Sequence, residues 1–221
     1  KNPFTDGTEN IITNRYEAEL NYTKHFGEKY ELNFSNTYIH HKREATNDSY
    51  LNDYLSTHND STPNVLDMRP YLAKEKSFIS TLTFGAKLGN HNLLFGAQYY
   101  TSRLDESGMY VVVDSTSRYF GNSYKSVARK HADEFGAFVQ DEWQVTPRLT
   151  VVPGVRIDHH SSGEEYTSDK KVFDKDFPQT RFKETSVNPR LAIKYLLSRN
   201  ITLRVNAGTG FRAPYGFSED L

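Results

Sequence analysis

The chain has 221 residues, 27 Lys and Arg against 28 Asp and Glu, a formal net charge of −1 and 36% hydrophobic residues. The near-neutral charge lacks the basic footprint of a nucleic-acid binder, and no apolar run approaches the roughly 18 residues of a transmembrane helix. With no Cys there are no disulfides, thiolate metal sites or Cys nucleophiles. Tyr (15) and Phe (14) dominate the apolar set, and aromatic residues favour strands, so an all-β fold is expected. A transmembrane β-barrel stays open, because its strands need only alternate and their averaged hydropathy remains low. The chain begins KNPFTDGTEN, without a signal-peptide pattern.

Period-two alternation recurs along the chain. Tyr16, Ala18, Leu20 and Tyr22 alternate with polar neighbours before a short turn near 27–29, and Tyr30, Leu32, Phe34 and Tyr38 return from it. A polar stretch over about 44–76 follows. Phe78, Leu82, Phe84, Ala86 and Leu88 lead to a second turn near 89–91, and Leu93, Phe95, Ala97 and Tyr99 come back. After about 105–131, Phe135, Ala137, Val139 and Trp143 run into a turn near 146–148, and Leu149, Val151, Val155 and Ile157 return. After about 159–183, Val187, Leu191, Ile193 and Tyr195 reach a turn near 197–200, and Leu203, Val205, Ala207, Thr209 and Phe211 close the series.

The spacing predicts eight antiparallel strands of about 10 to 14 residues, long for an ordinary sheet, joined by alternately short and long connections. Outer-membrane barrels have that asymmetry, with short periplasmic turns and long extracellular loops. A soluble sandwich has mixed turns at both ends. The polar parity mixes both charges, among them Glu17, Glu19, Lys87, Glu134 and Lys194. On the apolar parity Tyr22, Tyr30, Trp143 and Tyr195 lie near the short turns, and Tyr38, Phe78, Tyr99 and Phe211 near the long loops, as two interfacial girdles would. Pro153 and Pro189 fall inside strands on the apolar parity, where each removes a ladder hydrogen bond. Bulges or shorter strands would accommodate them.

Three stretches carry a family resemblance: HNLLFGAQY (91–99), FGAFVQDEWQVTPRLTVVPGVRIDHH (135–160) and VNPRLAIKYLLSRNITLRVNAGTGFRAPYGFSEDL (187–221). The order of a QDEW strand, a PGVRID strand and a GFRAP strand resembles the barrel of TonB-dependent outer-membrane receptors. The resemblance implies a central part of a barrel of about 22 strands, without plug, TonB box or terminal strand. It also implies active uptake of a scarce nutrient such as a ferric siderophore, haem or cobalamin, with energy relayed by the TonB complex through the plug. Outer-membrane lipid and the small-molecule nutrient are the other expected partners.

On that reading Glu142, Arg156, Asp158, Arg190, Arg204, Gly208 and Gly210 face the lumen and plug. The glycines would allow close approach there, and Phe211 would face lipid at the outer rim. Arg204 and Arg212 would offer fixed cations to plug carboxylates or an anionic ligand. His40, His41, His159 and His160, at the bases of long loops, and Arg212 are the candidate ligand contacts. No third ligand accompanies either His pair at a metal-binding spacing, and no P-loop, dinucleotide fingerprint or nucleophile elbow appears. No metal, cofactor or enzymatic activity is therefore expected. Two other readings stay open: a complete eight-stranded barrel acting as an adhesin or envelope anchor, and a soluble all-β carbohydrate-binding domain.

Overall fold

The computed structural model describes residues 9–47, 70–112, 116–120, 122–172, 177 and 179–211. The strands are β1 (Glu9–Phe26), β2 (Tyr30–Asn47), β3 (Tyr71–Leu88), β4 (His91–Val111), β5 (Ser123–Thr146), β6 (Leu149–Ser168), β7 (Thr180–Ser198) and β8 (Ile201–Gly208). They form one antiparallel sheet in the order β1-β2-β3-β4-β5-β6-β7-β8. Among the described residues β1 pairs only with β2 and β8 only with β7, so the sheet is an open wall with two edges. The tight turns after Phe26 and Leu88 each place a glycine at positive φ, Gly27 at 65° and Gly89 at 61°, a conformation that glycine adopts without steric cost.

Except for β8, the strands are longer than the alternation predicts. Ladder pairing continues through stretches read from composition as loop, such as Glu106↔Ala128, His131↔Gly163 and Ser161↔Lys183. In sequence, 48–70 separates β2 from β3, 112–122 separates β4 from β5 and 169–179 separates β6 from β7, and each segment lies partly outside the described residues. Backbone pairing needs no apolar side chain, so a strand wetted on both faces extends past the point where its hydropathy pattern ends.

Neither proline sits at a bulge. Pro153 pairs in register with Leu191, and Pro189 with Val155. Each instead falls where its second ladder lapses. The β5–β6 register skips from Gln140↔Gly154 to Trp143↔Val151, and the β7–β8 ladder runs only up to Arg190↔Gly208. The missing N–H groups therefore cost little. The register irregularities lie at the turns, between Gln144 and Thr146 and between Leu196 and Ser198.

The short turns are stepped. Ala86 faces Tyr30, yet β3 runs two residues further, to Leu88. Trp143 faces His91, yet β5 runs three further, to Thr146. Tyr195 faces Leu149, yet β7 runs three further, to Ser198. A stagger accumulating in one direction is the shear that tilted strands need to close a barrel.

The two parities form two continuous faces. One carries Tyr22↔Phe34↔Leu82↔Ala97↔Ala137↔Ile157↔Val187 across seven strands. Its apolar run covers the same length on β2, β4, β5, β6 and β7: Tyr30 to Tyr38, His91 to Tyr99, Phe135 to Trp143, Leu149 to Ile157 and Val187 to Tyr195. Those eight steps make about 26 Å of strand. A tilt of ~40° shortens them to about 20 Å, close to the ~25 Å apolar band of a membrane barrel. This face is uncovered: Phe34, Phe84 and Val139 are 36%, 37% and 36% exposed. Asn36, Ser80 and Asp141 interrupt it, the last held by His91 Nδ1 at 2.6 Å. Tyr30 stacks on Phe84 (5.9 Å) and His91 on Trp143 (5.5 Å) near the short turns.

The opposite face is polar and more crowded. Ser77, Leu104, Glu106, Ala128, Asp158, His160 and Ser162 are all buried there, whereas Ala86 and Gly163 are buried on the apolar parity.

Candidate functional site: the polar face of the wall

Arg156 is the hub of the polar face. β6 holds it between β5 and β7, opposite Phe138 and Asn188. Its Nε donates to Asp158 Oδ1 at 2.6 Å, its Nη2 donates to Gln98 Oε1 at 3.2 Å, and Glu134 Oε1 lies 3.7 Å from Nη2. Gln98 donates on to Thr81 Oγ1 at 3.2 Å, and Asn188 Nδ2 donates to Asp158 Oδ2 at 3.3 Å. The network thus ties β3, β4, β5, β6 and β7 at one level. The guanidinium also lies over the Phe138 ring, 5.8 Å from its centroid.

Two glycines make this packing possible. A Cβ on Gly136 would overlap Asp158 Oδ1 and Arg156 Nη2, and one on Gly96 would overlap the Phe138 ring. The network is acidic in sum, since Glu134 and Asp158 share one arginine.

His160 is next along β6. It is 3% exposed, and its Nδ1 lies 3.5 Å from Glu134 Oε2, so Glu134 is shared between Arg156 and His160. Both ring nitrogens lack a hydrogen bond among the described residues, as does the Ser162 hydroxyl. Phe182 (5.9 Å) and Phe211 (6.2 Å) cover the ring, and they stack on each other at 6.1 Å.

This corrects the expectation that Phe211 points outward. β8 ends at Gly208, the alternation stops with it, and Phe211 packs against side chains of the polar face.

The histidine pairs are split. His41 and His160 lie on the polar face, the former 4.0 Å from Glu75. His40 and His159 lie on the apolar parity, beside Tyr16 (6.4 Å between rings) and bonded to Thr185 Oγ1 (2.8 Å). Consecutive strand residues point to opposite faces, so neither pair can grip one ligand. Among the described residues no three His, Asp or Glu converge in a metal-holding group.

Glu142 borders a cavity of about 370 Å³ beside the first short turn, with His25, Glu31, Lys87, Asn92 and Gln140. Arg190 lies on the polar face between Gly154 and Gly208, both of which its side chain approaches. Arg204 faces Lys194, and both are exposed. Gly210 has nothing within 4 Å of a would-be Cβ, so no described neighbour needs a glycine there. Arg212 lies outside the described residues. Glu134, Gln98, Phe138, Asn188 and Phe182, which complete the Arg156 and His160 groups, were not among the predicted site residues. Their shared parity was visible, but their cross-strand register was not.

Farther toward the long connections, well beyond the apolar band, Tyr71 donates to Glu106 Oε1 at 2.6 Å, and Lys130 Nζ lies 2.9 Å from Glu106 Oε2. Burial, with the bond to Glu106 adding to it, pushes the Tyr71 phenol above its ordinary range.

The family model described as TonB dependent receptor-like, beta-barrel, matches residues 1–221. A search of curated proteins found no match. Among solved structures, the ferric yersiniabactin uptake receptor FyuA from Yersinia pestis aligns with TM-score 0.64 and 14% identity, over 90% of this chain and 28% of that one. The copper transporter OprC aligns with TM-score 0.63 and 13% identity, over 88% and 29%. The ferric citrate transporter FecA, in its unliganded form, aligns with TM-score 0.58 and 16% identity, over 90% and 27%. The chain thus spans less than a third of each of these structures, which agree with it in fold. With an open, staggered, eight-stranded wall and a family match over its whole length, this chain belongs to the TonB-dependent receptor β-barrel family.

Proposed function

We propose that this chain is part of the barrel of an outer-membrane receptor that actively imports a scarce nutrient, such as a ferric siderophore, haem or cobalamin, with energy delivered through TonB. The family match over residues 1–221 carries the reading. The uncovered apolar face supports it physically: its band has bilayer height, and an exposed apolar surface this large needs a partner, which lipid supplies. Short turns would then be periplasmic, long connections extracellular, and the polar face would line the lumen. There Arg156, Asp158, Arg190, Arg204 and Glu142 would meet the plug, and His41 would lie on the substrate's path, with His160 beneath Phe182 and Phe211 beside it.

Two edges without partners among the described residues disfavour a complete eight-stranded barrel, and the uncovered apolar face disfavours a soluble domain. The test is uptake by cells carrying the complete receptor, supplied with a radiolabelled panel of ferric siderophores, haem and cobalamin. Accumulation of one of them, abolished when TonB is deleted, is expected. Equal accumulation with and without the receptor gene overturns the proposal.

A further inference from the structure

Beyond the aromatic rim at Tyr38, Phe78, Tyr99 and Phe135, the two faces of the wall carry opposite charge. On the polar parity of the described strands stand Glu17, Glu75, Glu106, Glu134, Glu164 and Glu184 against Arg15, Arg43 and Lys130. On the apolar parity the acids are Glu44, Asp105, Asp133 and Glu165, and cations exceed them. Lys42 pairs with Glu44, Arg103 with Asp133 at 2.9 Å, and Arg129 with Asp105 at 3.9 Å. Lys74, Lys76, Lys125, Arg181 and Lys183 form no ion pair among the described residues. A merely solvated rim gives no reason for this segregation.

The cations are most concentrated on β2 and β3. Lys42 faces Lys74, His40 faces Lys76, and the next pair toward the short turns is Tyr38↔Phe78. Like charges directly opposite on neighbouring strands repel, and no acid among the described residues pairs with Lys74 or Lys76. Both are exposed, one and two alternations above the aromatic rim. A lysine so placed lays its stem along the apolar band and lifts its ammonium to headgroup height.

We propose that Lys74 and Lys76, with Lys42, form a binding surface for phosphate-bearing lipid headgroups of the leaflet on the side of the long connections. The inference rests on the membrane location proposed above. A lipid is the occupant because the surface continues the lipid-facing side of the wall without a break. More than one phosphate suits it best, since Lys74 and Lys76 are unpaired among the described residues and Lys42, shared with Glu44, lies directly opposite Lys74.

The complete receptor, purified in neutral detergent, is titrated with phosphatidylglycerol or phosphatidylcholine, and bound lipid is counted by native mass spectrometry. Phosphatidylglycerol should bind preferentially, with affinity falling as salt rises. K74Q/K76Q should weaken it about thirtyfold, whereas R15Q/R43Q, on the opposite face, should leave it unchanged. Folding is checked by heat-modifiable gel migration. Should K74Q/K76Q not fold, the salt dependence of the parent and the effect of K76Q alone decide. Equal binding of both lipids, retention unaffected by K74Q/K76Q and by K76Q, or equal occupancy by inorganic phosphate overturns the proposal. A receptor that dissolves without detergent overturns the membrane reading instead.

Discussion

At the scale of single residues, the polar face depends on absent side chains as much as on charges. Gly136 and Gly96 leave the space that Arg156, Asp158 and Phe138 fill. Gly136→Val should therefore destabilise the receptor by about 1–3 kcal/mol through overpacking, measured by urea unfolding in lipid vesicles. Gly210→Val should change little, because its surroundings are open. Asp158 is 7% exposed and bonded to both Arg156 and Asn188. Asp158→Ala leaves that arginine with only the more distant Glu134 as counter-charge, and should cost about 3 kcal/mol in the same assay. His160 is sealed by Phe182 and Phe211, so Phe211→Ala should speed its carbethoxylation by diethyl pyrocarbonate. An unchanged rate would mean that the covering ring is not Phe211.

Strands show the same separation of pattern from pairing. On five strands of the staggered wall the belt on the apolar face keeps one length, as a surface meeting a flat slab of hydrocarbon would. Leu82→Arg, at the centre of that belt, should cost about 2–4 kcal/mol, whereas Thr83→Arg, one residue on and facing the other way, should cost far less. The measurement is equilibrium unfolding in vesicles, and equal costs would reject the assignment of faces. By sequence alone, Pro153 and Pro189 are an obstacle to β6 and β7. Each falls where a ladder is already interrupted, so Pro153→Ala should shift stability by less than about 1 kcal/mol in that experiment.

At the scale of the whole wall, β1 and β8 each present an edge without a partner among the described residues. Exposed edges recruit further strands, and in the family barrel those would be neighbouring strands of the same wall. Expressed alone, residues 1–221 should aggregate rather than give a monodisperse detergent complex, as size-exclusion chromatography would reveal. A monodisperse species resisting heat and protease would instead favour closure by this segment alone.

Alternation of apolar and polar residues was enough to read eight strands and two faces, because side-chain period and strand geometry share one cause. The barrel class needed more: the uneven connections and the family resemblance. The family signal lay in three stretches whose order survives in the wall. Strand lengths were illegible, since hydrogen-bonded backbone leaves no trace in hydropathy once both faces are wet. Cross-strand register was equally hidden, so the sharing of Glu134 between Arg156 and His160 could not be read from the chain. The separation of His40 from His41 needs no register: it follows from parity alone once the strand runs through both. Phe211 turned inward because the strand supporting its parity had already ended. Which residues touch across a sheet is settled by how far each strand slides past the next, and that shift exists only in three dimensions.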